Sequence, residues 1–153
     1  SPEPHIESDV ATIVGLDGRK MSASYGNTIP VFADPKAQRK LVMRIVTDSR
    51  PPTEPKDPGS DNLFLIFQHI GASEAVEEVR KRYEAGGIGY GEVKTMLADA
   101  LDELLAEPRD TYNALMADRS RIDEILADGA ARVRPKAEEV LARVRHAVGM
   151  QGP

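Results

Sequence analysis

Residues 15–30 read Gly15-Leu16-Asp17-Gly18-Arg19-Lys20-Met21-Ser22-Ala23-Ser24-Tyr25-Gly26-Asn27-Thr28-Ile29-Pro30, a lysine set among glycines and hydroxyls. Residues of these types at this density suit a mobile phosphate-handling loop. Gly15, Gly18 and Gly26 permit positive φ and let main-chain N–H groups approach a ligand closely, and Asp17-Gly18 is a turn signal. Lys20 brings a compact, strongly hydrated cation on a flexible stem, matched to a pyrophosphate whose charge grows as it leaves. Ser22 and Ser24 add hydroxyl donors, and Met21 is an apolar anchor able to hold one loop state against a core. A five-residue match alone is outweighed by an ordinary Gly- and Ser-rich surface turn, because short motifs recur by chance. The flanking GLDGR and YGNTIP reverse that balance.

The elements that must carry this loop read as helices punctuated by proline and glycine. Thr28 to Phe32 suggests a short extended piece, and Asp34 then caps a helix with Pro35 at its first position. Leu41, Val42, Ile45 and Val46 share one side of that helix, and Lys36, Arg39, Lys40 and Arg44 lie elsewhere. Pro51, Pro52, Pro55 and Pro58 force a loop over residues 50–60. Leu63, Phe64, Ile66, Phe67 and Ile70 come next at helical spacing and stop at Gly71; Ser73 opens another helix that stops at Gly86-Gly87. Val93, Met96, Leu97, Ala100, Leu101, Leu104 and Leu105 form a regular stripe that needs a partner. Pro108 is expected to break or kink the sequel, and Tyr112, Leu115 and Met116 resume it. Ile122, Ile125 and Leu126 lead to a junction at Gly129, and a last helix packs Ala137, Val140, Leu141, Val144 and Val148 and ends at Gly149. The reading is mostly α, a helical bundle preceded by an irregular loop. Leu and Val stripes are core by default, and charge runs such as Arg80-Lys81-Arg82 are solvated decoration by default.

Composition sets limits. The chain has 153 residues, enough for one domain with a real core, and 25 acidic against 20 basic side chains give a net charge of -5. Whole-chain nonspecific nucleic-acid binding is thereby excluded, so any RNA contact needs a local basic face. The sequence has no cysteine and hence neither a disulfide framework nor cysteine-ligated zinc. Histidines at 5, 69 and 146, far apart and without a carboxylate pattern, give no metal site. The absence of an apolar run of membrane length points to a soluble location.

The Lys20-Met21-Ser22-Ala23-Ser24 run resembles the KMSKS signature of class I aminoacyl-tRNA synthetases, in the form it takes in bacterial tryptophanyl-tRNA synthetases. Asp34-Pro35-Lys36, the segment after it and Val46-Thr47-Asp48-Ser49 resemble the family's post-signature helix with its "TDS" ending. Gly89-Tyr90-Gly91-Glu92-Val93-Lys94 resembles its YGxxK turn, and Leu126-Ala127-Asp128-Gly129-Ala130 its late "L-x-D/E-G-A" junction. These matches run collinearly from about residue 10 to residue 149. The second signature lysine is Ala23 here, which leaves more charge to Lys20 and the loop N–H groups. His69-Ile70-Gly71 is not the family's HIGH motif: it comes after the lysine loop, ends a helical run and lacks the second histidine. His69 reads as a helix-terminal residue favoured by the dipole.

The resemblance implies that residues 1–33 are a connector and signature loop, the tail of a catalytic domain whose Rossmann-type sheet is expected to be absent from this chain. It implies that residues 34–149 are a helical tRNA anticodon-binding domain. By the same resemblance the complete enzyme is a cytoplasmic, homodimeric tryptophan–tRNA ligase using tryptophan, ATP, Mg2+ and tRNA(Trp), and this chain alone is expected to be inactive. Lys20 is then the catalytic residue, and Lys20, Met21, Ser22, Ala23 and Ser24 contact ATP. Asp128, Arg132, Arg134 and Lys136 are the tRNA-binding candidates, Asp128 as acceptor from a cytosine amino group and the cations on phosphates or unpaired bases. No metal ligand is assigned, since magnesium commonly takes phosphates and water. The other functional class open to the same residues is a free-standing, non-catalytic helical module that docks tRNA or a protein.

Overall fold

The computed structural model describes residues 3–4 and 12–150. The expected connector over residues 1–8 and the histidine at position 5 lie outside them, residues 3 and 4 excepted. The described chain forms five helices, α1 (Pro35–Met43), α2 (Asn62–Ile70), α3 (Ser73–Ala85), α4 (Tyr90–Ala117) and α5 (Arg119–Ala147). Its β structure among the described residues is a single antiparallel bridge between Val14 and Lys20. The fold is mostly α, as the periodicities imply. The segment over 28–32 forms no strand.

Local chemistry sets the helix starts. The Asp34 carboxylate accepts from the N–H groups of Lys36 (3.0 Å) and Ala37 (3.2 Å), with Pro35 at the first position where its missing N–H costs nothing. Asp61 caps α2 by accepting from Phe64 N–H at 2.8 Å, and Asp118 caps α5 by accepting from Ser120 N–H at 3.1 Å. Helix α2 does stop at Gly71, though φ is -68°, an ordinary value. Glycine is required there for space, because a Cβ would sit 2.8 Å from the Phe67 ring.

The chain divides into two compact units, the first ending at Arg109 and the second beginning at Asp110. Within the first unit the lysine loop is bonded into the helical segments after it. Val46 N–H donates to the Leu16 carbonyl at 2.8 Å, and Leu16 itself is in the core. That core joins Val42 of α1, Leu63, Phe64, Ile66 and Phe67 of α2, Val79 and Tyr83 of α3, and Val93, Leu97 and Leu101 of α4. Each such side chain fully buried contributes about 1.5–3 kcal/mol. Leu104 falls outside the core and is exposed.

The proline-rich connection before α2 is held by Lys56, only 3% exposed. Its ammonium donates to the carbonyls of Pro51 (3.1 Å) and Glu54 (3.0 Å) and lies 5.3 Å from the Tyr90 ring centre. Arg80 and Arg82 are not mere decoration either. Arg80 stacks over Phe64 at 4.9 Å, and Arg82 pairs with Glu92 at 2.7 Å.

The second unit consists of residues from Asp110 onward; two expectations need correction there, and a third just before it, where Pro108 does not break α4. Helix α4 runs through Pro108, and α5 runs through both Gly129 and Pro135, so there is no helix junction at Gly129. A proline inside a helix removes one bond to the carbonyl four residues earlier. Those carbonyls belong to Leu104 and Ala131, both exposed residues. An interior glycine costs only about 1 kcal/mol, which a helix of 29 residues absorbs. The stripe Val140, Leu141, Val144 and Val148 is exposed rather than packed, and α5 has no buried residue.

Candidate functional site

The lysine loop is a closed frame. Gly15 N–H donates to the Arg19 carbonyl (2.7 Å), Met21 N–H to Ile13 (2.8 Å) and Leu16 N–H to Asn27 (2.9 Å). Gly18 (φ 81°) and Gly26 (φ 63°) take the left-handed conformations that make the turns, whereas Gly15 does not. Gly15 is needed for closeness: a Cβ would lie 2.4 Å from the Asn27 side chain. After Ser22 the chain makes a 3-10 turn over Ala23–Tyr25, ended when Gly26 N–H donates to the Ala23 carbonyl.

At the centre is Asn27, 3% exposed. Its Oδ1 accepts from Ser22 N–H (2.8 Å), and its Nδ2 donates to Asp17 Oδ1 (2.7 Å) and to the Lys20 carbonyl (3.2 Å). That amide bond, with Arg19 beside it, holds the Asp17 carboxyl down at about 2. Arg19 is held on two sides: Nε donates to Asp17 Oδ2 at 2.7 Å, and the guanidinium lies 4.7 Å over the Tyr25 ring. The Lys20 side chain is exposed and has no hydrogen-bond or ion-pair partner among the described residues. Met21 is half-buried, and the Ser22 and Ser24 hydroxyls bond to each other at 2.9 Å. The frame thus presents one unpaired cation beside a hydroxyl pair, with the neighbouring arginine neutralised.

The segments singled out by sequence meet around this frame. Asn62 Nδ2 donates to the carbonyls of Leu16 (3.3 Å) and Val46 (3.4 Å). Gln38 donates to the Pro30 carbonyl (3.0 Å) and accepts from Arg109 (3.3 Å), which also pairs with Asp102 at 2.8 Å. The Tyr90 hydroxyl donates to Asp48 and Lys94 donates to the Met43 carbonyl, so the TDS and YGxxK segments form one joint. The Tyr90 bond pulls the Asp48 carboxyl below its ordinary value, while burial pushes Asp61 up and lowers Lys94. A polar cleft of about 330 Å³ opens there, lined by Asp48, Arg50, Lys56, Asp61, Asn62 and Tyr90 among others. Asn27, Gln38, Lys56, Asn62 and Arg109 were invisible to sequence reasoning, which looks for periodicity and motifs. The only signal was the place of Asn27 inside the YGNTIP flank.

The candidates on α5 lie in the second unit. Asp128, Arg132 and Lys136 recur every fourth residue on one exposed strip, whereas Arg134 falls on another with Ala127, Ala131 and Glu138. Arg132 pairs with Asp128 at 3.6 Å and Lys136 with Glu139 at 3.2 Å. Among the described residues, no group of three or more His, Asp or Glu is arranged to hold a metal ion, and no helix is long and apolar enough to cross a membrane.

Comparison with known proteins matches this architecture. A family model described as "tRNA synthetases class I (W and Y)" matches residues 3–106. The chain is 45% identical over 150 residues to the tryptophan–tRNA ligase of Neisseria meningitidis, covering 98% of this chain and 44% of that protein. Against the tryptophan–tRNA ligase of Pseudomonas aeruginosa it is 46% identical over 150 residues, covering 98% of this chain and 33% of that one. The crystal structure of tryptophanyl-tRNA synthetase from Campylobacter jejuni complexed with ADP and tryptophan is similar at a TM-score of 0.83 and 38% identity, over 97% of this chain and 46% of that chain. This chain belongs to the tryptophanyl-tRNA synthetase family of class I. It spans less than half the length of these relatives.

Proposed function

We propose that this chain is the C-terminal part of a tryptophan–tRNA ligase and supplies its pyrophosphate loop and tRNA-contacting helices. The observation that carries the reading is 45% identity to such a ligase along 98% of the chain, the lysine loop included. A tryptophan carboxylate oxygen attacks the α-phosphorus of ATP, the bond from that phosphorus to the β-phosphate bridging oxygen breaks, and pyrophosphate leaves with the electron pair. A terminal ribose hydroxyl of tRNA(Trp) then attacks the carbonyl carbon of the tryptophanyl-adenylate, the bond to the phosphate oxygen breaks, and AMP leaves. Lys20 stabilises the charge gathering on the departing pyrophosphate, and Met21, Ser22, Ala23 and Ser24 contribute main-chain N–H groups and hydroxyls. Such chemistry is positioning plus charge stabilisation and calls for no nucleophile from the protein. Bound magnesium would add charge neutralisation on the phosphates, and no residue of this chain is assigned to hold it.

The test is ATP–pyrophosphate exchange by the complete, purified protein. Exchange dependent on tryptophan and not on tyrosine is expected. Exchange driven by tyrosine, or none with either amino acid, refutes the reading. The 153-residue chain assayed alone is expected to give no exchange.

A further inference from the structure

The lysine loop is organised by a residue of the YGNTIP flank to which the sequence alone gives no role. Asn27 is buried, and its side-chain amide spends its acceptor and both donors on one short stretch: the Ser22 N–H, the Asp17 carboxylate and the Lys20 carbonyl. The main chain is thus tied immediately at Lys20 and two residues after it, while the Lys20 ammonium stays unpaired among the described residues. The fit is tight as well as polar, since Gly15 approaches so closely that a Cβ would overlap the amide at 2.4 Å. No other side chain combines one acceptor and two donors at this reach; aspartate keeps the acceptor and loses both donors, and glutamine is a methylene too long.

We infer that Asn27 is a positioning residue for pyrophosphate departure: its amide sets the main chain on which Lys20 is mounted and keeps Asp17 engaged with Arg19, away from the lysine. The inference rests on the proposed ligase reading. The charged groups meeting the network are Asp17, which accepts from the amide, and Arg19, which pairs with Asp17; Lys20 enters through its carbonyl. Removing the amide frees the Lys20 main chain and leaves Asp17 as an alternative partner for the Lys20 ammonium.

Two variants of the complete protein separate positioning from mere folding. Asn27→Ala is expected to lower the rate of adenylate formation by roughly 10- to 100-fold with a much smaller change in the KM for tryptophan, the scale for an ångström-level misplacement of a catalytic group. Asn27→Asp places a second carboxylate against Asp17, and repulsion between two carboxylates this close raises the pH at which the second of them loses its proton. At pH 8 it should be as slow as Asn27→Ala. Lowering the pH toward 6 protonates the pair, restores one donor, and should recover activity relative to wild type. A structural role alone does not create that acid-side recovery.

A readout independent of catalysis is tryptic cleavage after Arg19 and Lys20, monitored by mass spectrometry with the helical Lys81 as internal reference. Cleavage there should accelerate at least several-fold in Asn27→Ala. Wild-type rates in Asn27→Ala, or an Asn27→Asp pH profile parallel to wild type, overturn the inference. If the wild-type protein itself shows no exchange, the ligase reading fails separately, and unchanged tryptic rates then overturn the role of Asn27 as well.

Discussion

Lys20 and Arg19 are adjacent cations with opposite fates. Arg19 is bound to Asp17 and stacked on Tyr25, whereas the Lys20 ammonium has no partner among the described residues. Ala23, where the family signature has its second lysine, instead opens the 3-10 turn, its carbonyl taking the Gly26 N–H. With one side-chain cation to lose, Lys20→Ala is expected to slow adenylate formation by roughly 100-fold or more, the scale for one preorganised charge, with a smaller effect on tryptophan affinity. Pre-steady-state measurement of both separates a transition-state role from a purely structural one, in which the two fall together. Acid acts on the same frame through Asp17. Its folded value of about 2 lies below the ordinary 3.8, so the Asp17 contribution is complete above about pH 4 and is lost as pH falls through 2. A carbon-detected titration of the Asp17 carboxyl should show this depressed midpoint, and Asn27→Ala should move it upward. The sequence announced the lysine and its hydroxyls because their types and order are distinctive. It did not announce Asn27, because a loop amide has no period and its three bonds exist only once the chain has folded back.

The helix start at Asp34-Pro35 and the stops at Gly71 and Gly86-Gly87 were legible because their causes are local, whereas α1 ends at Met43, short of Ile45 and Val46, and α5 runs on through Gly129. Asp34 with Pro35, the proline-rich connection and the Gly86-Gly87 stop are each decided within a few residues. What stayed hidden depended on distant neighbours: Lys56 reads as an ordinary surface lysine until Tyr83 and Tyr90 close over it. Gly71 was recognised as a stop, and its space requirement yields a distinct expectation. Gly71→Ala should destabilise the first unit by about 1–3 kcal/mol through overpacking against Phe67, measured by urea unfolding. Asp61 gives a pH-dependent case, because burial raises its carboxyl above the ordinary 3.8 even though it caps α2 and accepts from Tyr83. The native state therefore binds more protons than the unfolded chain as pH climbs through the range above about 4, and wild-type stability falls across that range. Asparagine caps a helix as well as aspartate and can still accept from Tyr83. Asp61→Asn should therefore gain stability relative to wild type as the pH of the unfolding experiment is raised from 4 to 7.5; a constant difference would rule out ionisation as the cause.

At the scale of the molecule, the net charge of -5 means that the tRNA contact proposed for this chain cannot rest on a diffuse positive field and needs a local strip. The first unit offers none that is unengaged on α3, where Arg80 and Arg82 serve the fold. Helix α5 does offer one, because Asp128, Arg132 and Lys136 share a strip and the ion pairs there are exposed, at 3.6 and 3.2 Å, of a kind worth about 0.2–1 kcal/mol each. Pairs that weak yield readily to phosphate. The unbroken course of α5 through Gly129 also changes the expected footprint, since Arg134 lies off the strip and should matter less than Arg132 or Lys136. Replacing Arg132 and Lys136 by alanine should weaken tRNA(Trp) binding and flatten the salt dependence of log K by nearly one unit of slope per lost phosphate contact. Arg134→Ala should leave most of that slope in place. Helix content should hold, because alanine is the best helix former and exposed substitutions usually cost less than about 0.5 kcal/mol. Titrations at several salt concentrations, with circular dichroism as the folding control, decide it. A folded double variant with wild-type affinity and slope would show that the strip is only solvated, and Asp118, already committed to capping α5 through Ser120, would be a poor place to look next.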